Sequence, residues 1–213
     1  MLTTENILFL LFAYLIGAFP SAVWFGRTFY NTDVREYGSG NSGATNTFRT
    51  LGSKAGTPVL LMDILKGWIA VNLVYFVTDN QLMSDERFFE LKLVLGIAAV
   101  IGHLFPVYTA FRGGKGIATM LGFMIGIYWQ AAVVSAVVFV FTFLTSKYVS
   151  LSSILASFSF PIIILILQGI NNEVNDSLFL FSIFVPILSL ITHQKNIERL
   201  LRNEETKITF GKK

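Results

Sequence analysis

The segment Tyr37-Gly-Ser-Gly-Asn-Ser-Gly-Ala-Thr-Asn-Thr-Phe-Arg49 sets Gly38, Gly40 and Gly43 between short hydroxyl and amide side chains and ends on an arginine. Glycine lets a backbone take positive φ and approach a ligand closely, and successive amides can then form a nest for an anion. Ser39, Asn41, Thr45 and Asn46 add neutral donors, and Arg49 adds a forked cation matched to phosphate. A flexible Gly/Ser/Asn linker is the plain alternative, although a linker has no need of a helix-compatible stretch carrying Arg49. The spacing is not G-x-x-x-x-G-K-[ST], which excludes a nucleotide P-loop.

A second segment of this kind is Phe111-Arg-Gly-Gly-Lys-Gly116, shortly after Gly102-His103-Leu-Phe-Pro106. Gly113, Gly114 and Gly116 flank Lys115 directly before an apolar stretch. Amides and an ammonium at a helix start make a favourable anion site; an ordinary basic loop with turn glycines is the alternative. Farther on, Ser152 and Ser153 open another apolar stretch, either as helix caps or as phosphate donors. His193 and Asn196, three apart, share one face of a basic amphipathic tail helix, whose simpler reading is adhesion to anionic headgroups. Asp63 and Lys66 interrupt an apolar stretch at i, i+3, and a structural salt bridge is expected of them. His103 reads equally as a hydrogen-bonded interfacial histidine or a catalytic one. With no cysteine and two histidines there is no thiolate nucleophile or disulfide framework, and no metal or organic cofactor is expected.

The elements that must position these groups are apolar. Of 213 residues, 54% are hydrophobic and only 14% charged, with mean hydropathy +0.64. Globular domains average about 25% charged residues, so a soluble domain, a disordered chain and a secreted disulfide scaffold are excluded. Apolar runs extend from Ile7 to Phe25, Ala55 to Val77, Leu91 to Tyr108, Ile117 to Leu144, Leu151 to Ile170 and Leu178 to Ile191. The first has no basic leader and no A-x-A cleavage site, so it reads as a retained span. The fourth would form a helix of about 42 Å against a hydrocarbon core of about 30 Å. Tyr128-Trp129-Gln130 sits near its middle, where such aromatics favour an interface and a turn between two short spans.

Charge decides the count. With seven spans, all of the 16 lysines and arginines except Arg87 and Lys92 fall on one side, as orientation by Lys and Arg demands. With six, Lys147 and the basic tail change sides. The sequence therefore predicts an all-α polytopic membrane protein of seven transmembrane helices, N-terminus external and C-terminus cytoplasmic. It reads as a single domain over residues 1–213, with no internal repeat. The glycine-rich loops lie on the cytoplasmic face, and nucleic-acid binding is excluded because the basic residues follow that face.

Phosphate sites beside apolar grooves suggest a ligand with a phosphate head and an acyl chain. The ordered motifs GSGNSGATNTFRTLG at 38–52, DILKG at 63–67, GHLFPVYTAFRGGKGIAT at 102–119, SLSS at 150–153, and HQKNIERLL with EETK between 193 and 207 carry the chain further. Together they resemble the bacterial acyl-phosphate:glycerol-3-phosphate acyltransferase family (PlsY-type) over nearly the full length. Asn203 departs from a common glycine, and Ser42 from a common proline at a position not expected to be chemical. The resemblance implies a multi-pass cell-membrane enzyme that moves an acyl group from acyl phosphate to the 1-hydroxyl of glycerol 3-phosphate. Lysophosphatidic acid and inorganic phosphate are the products, and no obligate protein partner is implied. Its functional positions fall on Ser39, Asn41, Arg49, Lys115 with its flanking glycines, Ser153 and Ser152, His193, Asn196 and Glu205.

On this reading Lys115 and the amides of 113–116 hold the donor phosphate. Arg49, His193 and Asn196 hold the acceptor's, with Ser39 and Asn41 near the carbonyl; the two phosphates are equally assignable the other way round. No H-x4-D acyltransferase motif is present, so direct attack assisted by the substrate's own phosphate is one route and an enzyme base the other. The rival classes are an organic-phosphate transporter and an acyltransferase with a thioester donor.

Overall fold

The structure, a computed structural model, describes residues 3–78, 82–171 and 175–208, and the helices below are those among them. The chain forms two compact units, Met1–Ile127 and Tyr128–Lys213. The expected connector between Thr78 and Glu90 lies partly outside the described residues.

In the first unit, α1 (Thr4–Ala18) starts at Thr3, whose hydroxyl accepts from the Asn6 amide. It ends before Pro20, which has no N–H to continue the ladder. The chain bends 44° into α2 (Ser21–Tyr30). The run from Ile7 to Phe25, read as one span, is thus bent at its proline, which locks φ and removes a donor there. Two further helices follow around Gly52, which takes φ +80 between α3 (Ala44–Leu51) and α4 (Ser53–Asn72). α5 (Asp85–Leu104) is capped by Ser84, and a 3-10 turn at Val107–Thr109 leads toward α6 (Ile117–Ser146).

Glycines set how closely these helices pack. A Cβ on Gly17 would strike the Ala99 carbonyl, and one on Gly102 the Tyr14 carbonyl, so α1 and α5 meet backbone to backbone at two levels. Gly67 against the Thr119 carbonyl and Gly122 against the Ile64 carbonyl do the same for α4 and the first part of α6. Lipid tails are as apolar as leucine, so close van der Waals packing through small residues replaces hydrophobic collapse as the driving force. Ala13, Ala70, Val74, Leu95 and Ala99 fill the buried centre between these helices.

In α6, Tyr128 leaves the helical region at φ −149, ψ 81, the point the aromatic cluster predicts. In the second unit, α7 (Val149–Asn171) packs on α8 (Asp176–Thr192), with Phe160 and Phe181 edge to face at 6.1 Å. A 66° bend at His193 leads into α9 (Gln194–Leu201). Four stretches are long and apolar enough to cross a membrane: Ser53–Phe76, Asp85–Thr109, Ile117–Ser146 and Val149–Ile170. There are six if each bent pair, α1 with α2 and α8 with α9, is one span.

Substituting Gly17 by Val forces a branched side chain against the Ala99 carbonyl, and should lower the melting temperature in detergent by at least about 5 °C. Gly169, with nothing within 4 Å of its Cβ position, should accept Ala with an unchanged or slightly higher melting temperature, since Ala is the better helix former by about 0.5–1 kcal/mol.

Candidate functional site

Asn46 organises the first glycine-rich loop. It lies on α3 and is buried. Its Nδ2 donates to the carbonyls of Val34 (2.7 Å) and Tyr37 (3.1 Å). Its Oδ1 accepts from the Ser39 amide (2.9 Å) and hydroxyl (3.2 Å). Both hydrogens and both lone pairs of the carboxamide are thereby engaged within the loop, so this residue shapes the loop from beneath. Gly38 and Gly40 take φ +60 and +70, and a side chain at 38 would collide with the Asn46 carboxamide. Ser39 and Gly40 are exposed, Asn41 lies against Gly43, and Thr45 and Arg49 follow on α3 one turn apart.

The approach to this loop is fixed by charge. Asp33 accepts from the Arg35 amide and pairs with the guanidinium groups of Arg35 (2.7 Å) and Arg27 (2.8 Å). The Arg35 guanidinium, ahead of Arg27, holds the Asp33 carboxyl well below the usual carboxylate range, and Asp33 raises Arg35 in turn.

The second loop lies beside the first. The Ser42 hydroxyl donates to the Arg112 carbonyl at 3.2 Å, which also accepts from Thr109 Oγ1. Ser42, set aside in the sequence as not chemical, is therefore the tie that brings residues 38–43 to residues 111–116. Ala110 and Phe111 take positive φ to make the reversal, and the Gly114 amide returns to the His103 carbonyl at 3.1 Å. That amide is not free for an anion, which narrows the cradle expected from residues 113–116. Side chains at 113 and 114 would strike the His103 and Leu104 carbonyls and the His103 ring, so glycine is required at both. Gly116 turns at φ +79 into α6, and Lys115 lies partly buried just before it.

Beneath this loop is a buried polar cluster. Asp63 Oδ1 accepts from Ser21 Oγ (2.9 Å) and pairs with Lys66 Nζ (2.9 Å), the salt bridge the sequence predicts. Lys66 also reaches the Phe19 carbonyl (3.1 Å), an acceptor released by the break before α2. His103 Nδ1 lies 3.1 Å from Thr119 Oγ1 and 3.7 Å from Asp63 Oδ1.

In the second unit, Glu205 is the buried centre. Its Oε1 accepts from Asn196 Nδ2 (2.8 Å) and Ser150 Oγ (3.0 Å), and its Oε2 pairs with Arg199 (3.2 Å). Ser150 and Arg199 are partners that the sequence did not single out; no local pattern joins residues 150 and 205. His193 occupies the bend between α8 and α9, not the α9 face expected of it. Its Nδ1 lies 2.8 Å from the Ser189 carbonyl; a carbonyl only accepts, so the neutral ring carries its proton there and keeps Nε2 as acceptor. Ser152 and Ser153 lie buried in the first turn of α7 and are not its cap; Ser152 Oγ bonds the Tyr148 carbonyl at 2.7 Å. Asn203 takes φ +58 just past α9, a left-handed position that suits Asn as well as the glycine common there. The Ile208 amide then bonds the Lys147 carbonyl (3.0 Å), returning the tail to the start of α7.

A family described as glycerol-3-phosphate acyltransferase matches residues 7–203. A glycerol-3-phosphate acyltransferase of Staphylococcus aureus (strain Newman) is 42% identical over 207 residues, covering 96% of this chain and 98% of its own. One from Chlorobium phaeobacteroides is 40% identical over 223 residues, covering 94% and 95%. Among solved structures, PlsY (YgiH), an integral membrane glycerol 3-phosphate acyltransferase, is similar in its glycerol 3-phosphate form, with TM-score 0.79, 33% identity and 96% of each chain covered. Its lysophosphatidic acid form gives TM-score 0.77 at 31% identity, again over 96% of each chain.

Replacing Asn46 by Ala leaves two carbonyls and an amide without their partner, which should destabilise the chain by about 1–3 kcal/mol. Limited proteolysis should then cut within 37–43 of the variant faster than in the parent protein. Asp33, with its folded-state pKa depressed, contributes stability that is fully present above its unfolded value and lost as pH falls. Asp33→Asn should therefore lower the melting temperature by a constant amount from pH 8 down to about 5, with the difference shrinking below about pH 4.

Proposed function

The chain belongs to the glycerol-3-phosphate acyltransferase family, and we infer that it is an integral membrane enzyme of the PlsY type, using acyl phosphate as donor. The acceptor's 1-hydroxyl oxygen attacks the acyl carbonyl carbon, and the bond from that carbon to the phosphate oxygen breaks. Phosphate leaves with the electron pair and takes up the hydroxyl proton. The products are lysophosphatidic acid and inorganic phosphate, the first acylation of phospholipid synthesis. A mixed anhydride is already activated, so positioning and charge stabilisation supply the acceleration and no covalent enzyme intermediate is needed.

The observation that carries this reading is the Ser42–Arg112 tie, which brings two glycine-rich loops with Arg49 and Lys115 into one unit of the chain. Arg49 and Lys115 supply the cationic charge for substrate phosphate, with Ser39, Gly40, Asn41, Gly43, Thr45, Gly113 and Gly116 around them. Asn46 and Gly114 act by holding the loops. In the second unit Ser153, His193 and Asn196 are the catalytic candidates, Ser152 lies at the same helix start, and Glu205 holds Asn196 in place. Residues 1–213 act as a single catalytic domain.

The topology follows the charge. Seven spans put the glycine-rich loops and the tail on the cytoplasmic side of the cell membrane and the N-terminus outside. The departure of Tyr128 from helical geometry supports a division of α6 into two spans.

Purified protein given acyl phosphate and glycerol 3-phosphate should release phosphate and form lysophosphatidic acid, whereas acyl coenzyme A should give no product. Transport of labelled glycerol 3-phosphate into sealed vesicles without acyl-phosphate consumption would contradict the assignment. Lys115→Ala and Arg49→Ala should each lower kcat/KM at least about 100-fold at an unchanged melting temperature. Near-normal turnover in either would remove that residue from the phosphate site.

A further inference from the structure

We propose that Asp63 is a positioning residue for the Gly113–Gly116 loop, acting with Lys66 and Thr119 through the ring of His103. The proposal rests on the reading of that loop as a phosphate-holding element.

Four helices contribute to one buried chain of polar groups. Asp63 (1% exposed) and Lys66 (6%) come from α4, Ser21 (1%) from α2, His103 (6%) from α5 and Thr119 (0%) from α6. Asp63 Oδ1 takes both the Ser21 hydroxyl and the Lys66 ammonium, while Oδ2 is buried without a hydrogen-bond partner. The charge is paired by Lys66, but a carboxylate serving only the helix pair would be expected to have its second oxygen hydrogen-bonded as well. The same Oδ1 lies 3.7 Å from His103 Nδ1, a nitrogen that Thr119 Oγ1 holds at 3.1 Å.

That arrangement fixes the plane of the imidazole and aims the opposite nitrogen at the loop. A Cβ on Gly114 would collide with His103 Nε2, and the Gly114 amide donates to the backbone carbonyl of the same histidine. His103 therefore grips Gly114 from the ring and from the main chain at once. Lys115 is the next residue, so a rotation of the ring is transmitted to the ammonium through a single peptide unit. Groups that orient a functional group in this way affect the reaction without touching the substrate.

The test is a kinetic coupling. Gly114→Ala presses a methyl on the His103 ring from the loop side, and Asp63→Asn removes the charge from the helix side. If both act through one contact, the double variant should lie within about twofold of the worse single variant in kcat/KM; independent effects would multiply. Thr119→Val should raise KM for a phosphate-bearing substrate by about tenfold with a smaller change in kcat, and Thr119→Ser should restore it to within about twofold. If Asp63→Asn fails to fold, Thr119→Val combined with Gly114→Ala carries the same cycle. Multiplying effects, or a Thr119→Val variant with the parent's KM, would overturn the proposal. Lys115→Ala, assayed alongside, separates the two levels. Loss of activity there with multiplying effects in the cycle rejects the relay alone, whereas normal activity rejects the loop reading and the relay with it.

Discussion

A carboxylate in the middle of an apolar helix must be compensated, and Asp63 imposes that constraint on the whole first unit. Lys66 answers it from the next turn of α4, and Ser21 from the start of α2. The ammonium of Lys66 is shared with the Phe19 carbonyl, so the charge compensation also satisfies the broken end of α1. Had Pro20 not interrupted that helix, the carbonyl would point into its own ladder. The break, the ion pair and the histidine above it form one electrostatic unit, held tightly because glycines allow α1, α4, α5 and α6 to approach backbone to backbone.

Above this base the chemistry resides in backbone shape. The first loop is held by a single buried amide side chain, Asn46, and the second by the return of the Gly114 amide to His103. One hydroxyl, Ser42, joins them. On the proposed reading, Arg49 from α3 and Lys115 from the second loop are presented by a backbone whose hydrogen bonds are already made, so ordering does not have to accompany binding. A pre-formed site of this kind suits a reaction in which the donor is reactive from the start and the enzyme's task is to hold two anionic molecules in register.

Much of this was legible in the sequence, and the rest was hidden for identifiable reasons. Glycine positions in the two loops, the Asp63–Lys66 pair and the irregularity at Tyr128 follow from local rules of backbone freedom, charge and span length. The roles of Ser42, Ser150 and Thr119 do not, because each is set by a partner outside its own stretch of sequence, and Arg199 meets Glu205 only because the chain turns at Asn203 just past α9. Asn46 reads from the sequence as a neutral donor to a ligand, and Glu205 is picked out only by the family resemblance. Both lie buried with their polar atoms engaged. The spacing of His193 from Asn196 predicts one shared helix face, whereas the bend of the chain makes His193 the residue before α9. The left-handed conformation of Asn203 shows the opposite case, in which a departure from the common glycine keeps the geometry because asparagine tolerates it.

On the proposed reading, residues 38–43 and 111–116 form one phosphate-gripping surface. Hydrogen–deuterium exchange of the purified protein, with and without glycerol 3-phosphate, tests it most directly. Peptides covering the two loops should gain protection together, at the same ligand concentration. Protection of one loop alone, or of neither at a concentration that saturates the enzyme, would contradict the account.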